Sequence, residues 1–454
     1  MVRKMSRRKA IQYIGGGVLG LAGLTGFWRR EDILAFFAHD AAQPVLEKTE
    51  RIDTRLYPSN GAQLSLLGFG AMRFPTHAGS KAIDEEMAEQ MVDYAYRHGV
   101  NYFDTAYMYH GGKSEAFLGR VLKKYPRDSF YLADKMPGFM LESPAKAREV
   151  FQTQLDRCQV EYFDNYFLHS LSSKSSFESF YIEGGVLDYL REEKARGRIR
   201  QLGFSFHGDL PFYNELMERY AWDCVLIQVN YLDWDEPEAA GQGKIAGSLY
   251  RKAAEKQVPC FVMEPVKGGH LAALPEGAGQ LLQNAAPGAS AASWAMRFAA
   301  SHPGVVTVLS GMSDLAQVTD NIHTFSGFQP LTPEEERLVQ KTQRILDGTP
   351  ELDCTYCNYC HPCPYGVDIS GNFRVYNMWA SQLGVEGKAS EKKQREFLAH
   401  YKNTIPRAAR ADHCVRCNQC LELCPQHIAI PQELRKIDQL VQKLEPADNK
   451  GVLL

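Results

Sequence analysis

Eight of the eleven cysteines stand in two runs near the carboxy terminus: Cys354, Cys357, Cys360 and Cys363-Pro364, then Cys414, Cys417, Cys420 and Cys424-Pro425. The second run has the C-x2-C-x2-C-x3-C-P spacing that wraps thiolates round an iron-sulfur cube, with the fourth cysteine serving a neighbouring cube. The first run is one residue shorter before its Cys-Pro, so spacing fixes its fourth ligand less firmly. Two 4Fe-4S clusters are the expectation, one set being Cys354, Cys357, Cys360 and Cys424 and the other Cys414, Cys417, Cys420 and Cys363. A structural zinc needs only four ligands and leaves the third C-x2-C step unexplained. Disulfides suit an oxidising compartment, yet cysteines this close in sequence pair awkwardly and the regular spacing would have no cause. Cys158, Cys224 and Cys260 lie in apolar or helical surroundings and read as small core hydrophobes.

A chain of 454 residues is too long for one ordinary core, and two domains plus a leader are expected. With 51 basic against 54 acidic residues the net charge is -3, so neither a nucleic-acid groove nor a polybasic membrane face is indicated. At the amino terminus Arg3, Lys4, Arg7, Arg8 and Lys9 precede an apolar run from Ala10 to Phe27. Ser6-Arg7-Arg8-Lys9-Ala10-Ile11 resembles a twin-arginine export signal. A membrane-spanning anchor is the rival, weakened by six glycines in the run. Export to the periplasm or the outer face of the membrane follows, with a cytoplasmic location as the alternative and membrane contact only if the leader stays uncleaved. Iron bound by thiolates is assembled in a reducing compartment, which favours a route that carries folded protein.

Between Arg51 and Phe325 short β-rich runs alternate with amphipathic helical stretches. The runs are Leu64 to Gly70, Tyr102 to Thr105, Phe130 to Lys135, Asn165 to His169, Gln201 to Ser205, Cys224 to Val229, Pro259 to Met263 and Val305 to Ser310. Eight βα repeats over roughly 250 residues predict an α/β fold, a (β/α)8 TIM barrel. A doubly wound sheet lacks its G-x-G-x-x-G, since Gly68-Phe69-Gly70 has no third glycine. Thr332-Pro333-Glu334-Glu335 reads as a capping box that opens a helix ending near Leu346. The boundaries are then a leader at 1–45, the barrel at 51–325, a linker helix at 331–350 and a cysteine-rich unit at 351–445. That last unit is strand-poor, so it resembles a helical two-cluster ferredoxin rather than the β-hairpin type.

A barrel's chemistry sits at the carboxyl ends of its strands. Those ends carry Asp104 and Tyr109, Lys135, and His169. Phe103-Asp104-Thr105-Ala106-x-x-Tyr109, followed by Gly112-x-Ser114-Glu115, Lys135 and Leu168-His169, resembles the aldo-keto reductase family. Hydride addition to a carbonyl builds negative charge on oxygen and needs an acid nearby, and a free phenol with a pKa of about 10 is a poor one. A buried ammonium would lower it, and a carboxylate would keep that ammonium charged. Tyr109 is therefore the expected acid, Lys135 its tuner, Asp104 the anchor of Lys135, and His169 the group orienting the carbonyl oxygen.

The resemblance further implies NADP or NAD as cofactor, with Ser205 and Gln228 holding the carboxamide. Met263 and Pro265 stand where the family commonly stacks a tyrosine, and the loop with Gly268 and Gly269 lies over the pyrophosphate. Gly311, Ser313 and Asn321 take the adenosine end. No Arg or Lys lies between Gly311 and Asn321, which leaves NADPH over NADH unsupported. Tyr107, Trp234 and Phe206 suggest an aromatic pocket wall. An enzyme acting on a small carbonyl or alcohol is the leading expectation. The alternative is a catalytically silent nucleotide-sensing or electron-relay protein, because Phe206 and Met263 depart from the family pattern. No flavin fingerprint joins hydride chemistry to the clusters, which would stabilise their unit, sense redox state or serve a redox partner protein.

Overall fold

The computed structural model describes residues 51–77, 80–235, 244–383 and 389–445, so the expected leader lies outside the described residues. Eight parallel strands close a barrel. They are β3 (Leu67–Gly70), β4 (Tyr102–Asp104), β5 (Tyr131–Met136), β6 (Phe163–Leu171), β7 (Ile199–Phe206), β8 (Cys224–Gln228), β9 (Cys260–Met263) and β10 (Val305–Ser310). β10 pairs with both β9 and β3, which closes the ring. These are the eight runs marked in the sequence, shifted by a residue or two at most ends, with β6 longer than its run on both sides and the first run cut short.

Side chains alternate along each strand, so every second residue points into the barrel. Tyr102, Ala133, Phe167, Leu226, Phe261 and Leu309 fill the interior as one cluster. Their neighbours Phe103, Leu132, Leu168, Phe204, Val225 and Val308 belong to the larger cluster shared with the surrounding helices. A packed interior makes the barrel a solid platform whose only chemistry is at its rim.

The first apolar run is interrupted. Ala62–Ser65 forms β2 of an antiparallel hairpin with β1 (Thr54–Tyr57), and Gly61 takes the turn at φ +74. Ser65 ends the hairpin by donating its hydroxyl to the Leu67 carbonyl at 2.6 Å, while the Asn101 side chain accepts its backbone N–H at 2.8 Å. Tyr57 from this hairpin is buried in the interior cluster, edge-on to Phe261 at 5.5 Å, and its phenol accepts from the Asn165 amide at 3.1 Å. The hairpin thus plugs one end of the barrel.

The capping box holds as read: the Thr332 hydroxyl and the Glu335 carboxylate cap each other's backbone N–H, and the helix Pro333–Leu346 follows. It is no free linker. Val339 and Leu346 join the barrel's outer core, and Arg297 grips Glu335 with two bonds of 2.8 and 3.0 Å. Beyond it come helices Ile369–Leu383, Glu391–Thr404 and Ile430–Leu444 around a core of their own that includes Val367, Phe373, Phe397 and Leu434. No strand follows Ser310 among the described residues, and no helix of them is long and apolar enough to cross a membrane.

Candidate active site

Each inward-facing core residue is followed, two positions on, by a residue at the rim. Tyr102 leads to Asp104, Ala133 to Lys135, Phe167 to His169, Leu226 to Gln228 and Phe261 to Met263. Strand parity alone therefore brings these side chains to one end of the barrel. The parallel register sets Asp104 opposite Ala133 and Lys135 opposite Phe167, so the four expected catalytic groups converge.

Lys135 is their centre. Its Nζ donates to Asp104 Oδ1 at 2.5 Å, to the Thr105 carbonyl at 2.8 Å and to the Tyr109 phenol at 3.2 Å, with the lysine side chain 2% exposed. Tyr109 reaches this point through a tight turn in which His110, Gly111 and Gly112 all have positive φ. The Ser114 and Glu115 of the motif hold that turn: Ser114 donates to the Ala71 carbonyl at 2.9 Å and bonds Thr105 at 2.9 Å, and buried Glu115 pairs with Arg157 at 2.8 Å. His169 lies edge-on to Tyr109, ring centroids 6.1 Å apart.

The electrostatics differ from expectation at Tyr109. Burial, followed by the charge of Asp104, pushes the phenol well above its ordinary value. Tyr109 therefore holds its proton at neutral pH, the state a proton donor needs. Burial also raises Asp104 against the opposing pull of Lys135. Burial, then Lys135 and His207, push His169 well below its ordinary value, leaving a neutral ring.

Of the expected cofactor contacts, Gln228 offers a buried amide nitrogen without a partner, a free donor for a ligand carbonyl. Ser205 is buried and partly engaged, accepting from the Ser170 N–H at 2.7 Å. Met263 pairs in register with Gln228 at the rim, next to buried Pro265. Gly268 and Gly269 have φ +64 and +105, conformations that favour glycine. Gly311 and Ser313 are exposed, whereas buried Asn321 spends its amide on the Ser310 hydroxyl at 2.9 Å. Two of the three suggested wall aromatics are elsewhere. Phe206 follows the parity of Phe204 and packs outward on Phe212 and Tyr213, while Trp234 stacks on His302 at 4.2 Å among the outer helices.

A model of the Aldo/keto reductase family matches residues 66–343. The chain belongs to that family. It is 26% identical over 326 residues to L-galactose dehydrogenase of Arabidopsis thaliana, covering 66% of this chain and 97% of that protein. A probable aldo-keto reductase 1 of Glycine max is 32% identical over 155 residues, a match spanning 32% of this chain and only 43% of that relative. The holo form of an aldo-keto reductase from Bacillus halodurans superposes with a TM-score of 0.52 at 28% identity, covering 64% of this chain and 96% of that one.

The cysteine-rich unit lies beyond the segment matched by the aldo/keto reductase family, and its thiols fall into two groups. Cys354, Cys357, Cys360 and Cys424 line one cavity walled by Ile369, Phe373, Pro425, Ile428 and Ile430. Burial, and then neighbouring thiols, push Cys354 up to about 12, and burial pushes Cys357 up to about 11. Cys414, Cys417 and Cys363 surround Cys420, which burial and these neighbours push up to about 11. Among the described residues no group of three or more His, Cys, Asp or Glu side chains is set to hold a single metal ion. The two runs share one backbone plan: Tyr356 and Asn358 in the first, Arg416 and Asn418 in the second, all have positive φ. Turns Asn358–His361 and Asn418–Leu421 follow, closed at 3.1 and 3.0 Å.

The first loop leans on the barrel of this reductase family. Arg73 donates to the Thr355 carbonyl, the His270 ring bonds the Cys354 carbonyl at 2.9 Å, and Lys267 pairs with Asp353 at 3.4 Å. Gly268 lies so near Thr355 that a Cβ there would stand 2.5 Å from its Cα. Tyr359, at the tip of the loop, bonds His169 Nε2 at 2.9 Å. Neither contact is signalled by the sequence, in which Arg73 and Thr355 stand 282 residues apart and Tyr359 and His169 stand 190 apart.

The neutral His169 gives a pH signature. Below its ordinary pKa of 6.5 the unfolded ring takes up a proton that the folded ring refuses, so the unfolded state binds more protons and acidification destabilises the fold. Unfolding free energy from urea titration should fall between about pH 7 and pH 5, and His169→Gln should flatten that fall. An identical slope in the variant would mean that His169 titrates normally.

Proposed function

We propose that the chain is a nicotinamide-dependent reductase of the aldo-keto type, interconverting a small carbonyl compound and its alcohol at the barrel rim. The observation that carries this reading is Lys135 bridging Asp104 and Tyr109 with neutral His169 alongside. Bound NADPH or NADH would supply the hydride to the carbonyl carbon. Tyr109 gives its hydroxyl proton to the carbonyl oxygen as charge develops there, and Lys135 stabilises the phenolate left behind. His169 donates a hydrogen bond to the same oxygen, and Asp104 keeps Lys135 charged and aimed. The unpartnered Gln228 amide supports a carboxamide contact beside Ser205. Tyr109→Phe should lower kcat for reduction of benzaldehyde by about 10²-fold or more while leaving nucleotide affinity nearly unchanged. Near wild-type turnover would remove Tyr109 from the donor role.

The same proposal gives the carboxy-terminal unit two 4Fe-4S clusters, held by Cys354, Cys357, Cys360 and Cys424 and by Cys414, Cys417, Cys420 and Cys363. Support comes from the two thiol groups, each drawing its fourth member from the other run, and from the shared backbone plan of the loops. Bound clusters would pass electrons singly, and a redox partner protein is the natural recipient. Anaerobically purified protein should contain about eight irons and matching acid-labile sulfide per chain. About four irons would leave one set empty, and zinc without sulfide would overturn the assignment.

A second reading, in which the barrel senses a nucleotide or relays electrons without turnover, is favoured by one observation: the first cysteine loop packs against Gly268 and sends Tyr359 to His169. Export in the folded state completes the proposal, resting on Arg7-Arg8 ahead of the glycine-rich run and on the vulnerability of bare thiols outside the cytoplasm. Replacing Arg7 and Arg8 with lysine should retain the protein in the cytoplasm, as cell fractionation would show. Unchanged export would make the segment an ordinary basic start or an anchor.

A further inference from the structure

We propose that Tyr359, delivered by the cysteine-rich unit, is a residue of the barrel's substrate site and occupies the place of the substrate's oxygen. The inference rests on the reductase reading, in which Tyr109 and His169 are the two groups that meet a carbonyl oxygen. In the structure both meet an oxygen already. The Tyr359 hydroxyl is 2.9 Å from His169 Nε2, and the Tyr359 and Tyr109 rings both stand edge-on to His169, centroids 6.0 and 6.1 Å away, with a hydrogen bond between the two phenols. A phenol hydroxyl offers one donor and two acceptor positions, the inventory of an alcohol product. An alcohol or carbonyl compound must therefore compete with Tyr359 for the same two partners.

The placement is built. Tyr359 sits at the tip of the Asn358–His361 turn, and the Asn358 side chain accepts from the Ser370 hydroxyl at 2.5 Å. Its ring stacks on Phe139 with centroids 5.9 Å apart and planes 24° apart. Behind it the loop is clamped to the barrel by Arg73, Lys267 and His270, each touching a residue between Asp353 and Thr355. The base of the finger is thus held to the rim at three points, and Tyr359 forms the tip ahead of them.

The second cysteine loop serves as an internal control. It has the same pattern of positive φ and the same turn, yet its tip residue is Gln419, which is exposed. The loop plan thus needs neither an aromatic ring nor a buried tip. What differs at Tyr359 is the presence of His169, Tyr109 and Phe139 across from it. Tyr359 consequently decides which carbonyl compounds enter, admitting only those whose oxygen and adjoining group can take the space of a phenol ring, and only when the loop tip yields.

The test uses the full chain with 4-methylphenol, the side chain of tyrosine as a free molecule, as the probe. Calorimetry should show saturable binding of 4-methylphenol to Tyr359→Gly and none to wild type, and adding His169→Ala to the glycine variant should weaken it about tenfold, the scale of one lost hydrogen bond. Wild type binding the probe as well as Tyr359→Gly, or no binding by the folded variant, would overturn the inference. Should Tyr359→Gly fail to fold, Tyr359→Phe decides: it keeps the ring, and the nitrogen NMR shift of His169 Nε2 must move when the hydroxyl is lost. An unmoved shift would overturn the contact. With NADPH and benzaldehyde, kcat/KM should rise about tenfold or more in Tyr359→Gly, as one competing hydrogen bond is removed. Binding of the probe with no nicotinamide oxidation by any variant would sink the reductase reading and leave the occupancy of the oxygen site standing.

Discussion

A charged amine buried at the barrel rim is the constraint on which the site depends. Lys135 is almost wholly out of water, and an unpaired ammonium there would cost several kcal/mol. It is tolerated because Asp104, the Thr105 carbonyl and the Tyr109 phenol take all three of its donor positions. Those partners arrive only if β4 and β5 are adjacent, parallel and in the observed register. The turn carrying Tyr109 must in turn be held by Ser114 and Glu115, and Glu115 by Arg157. Satisfying one ammonium thus fixes two strands, a turn and two helices. The phenol keeps its proton because it is buried, and then because the charge of Asp104 stands beside it.

Much of this was legible because it is local. Strand ends are marked by apolar runs, and period-two alternation carries the inward parity from Tyr102 to Asp104 and from Ala133 to Lys135. The capping box at Thr332 is a four-residue signal and appears where it was read. Alternation was also sufficient to exclude Phe206 from the pocket, because it shares the outward parity of Phe204, but counting it as an aromatic near a strand end hid that. The hairpin was not legible: Leu64 to Gly70 is one apolar run in sequence, and only the bonds of Ser65 to Leu67 and Asn101 divide it. Tyr359 was invisible for a plainer reason. In sequence it is a spacer between two cysteines, and its partner His169 lies 190 residues away.

The two halves of the molecule meet through backbone as much as through side chains. Carbonyls of Cys354 and Thr355 accept from His270 and Arg73, and the near contact of Gly268 with Thr355 leaves no room for a Cβ. Just past the second run, the His427 ring bonds the His207 carbonyl at 2.6 Å. The first cysteine loop and the segment after the second run therefore rest on the strand-end face of the barrel, the face where the family places its chemistry. The helices behind supply a separate apolar core, so the first loop is supported from one side and spent on the other.

The paired turns at Asn358 and Asn418 separate two design variables. In each, the residue following the asparagine stands at the tip of the turn, Tyr359 against His169 and Gln419 exposed. The loop behaves as a socket and that residue as its exchangeable bit: a phenol faces the barrel in one copy, an amide faces solvent in the other. Sulfur chemistry and barrel chemistry can then be altered one at a time, the first through the cysteines and the second through a single side chain.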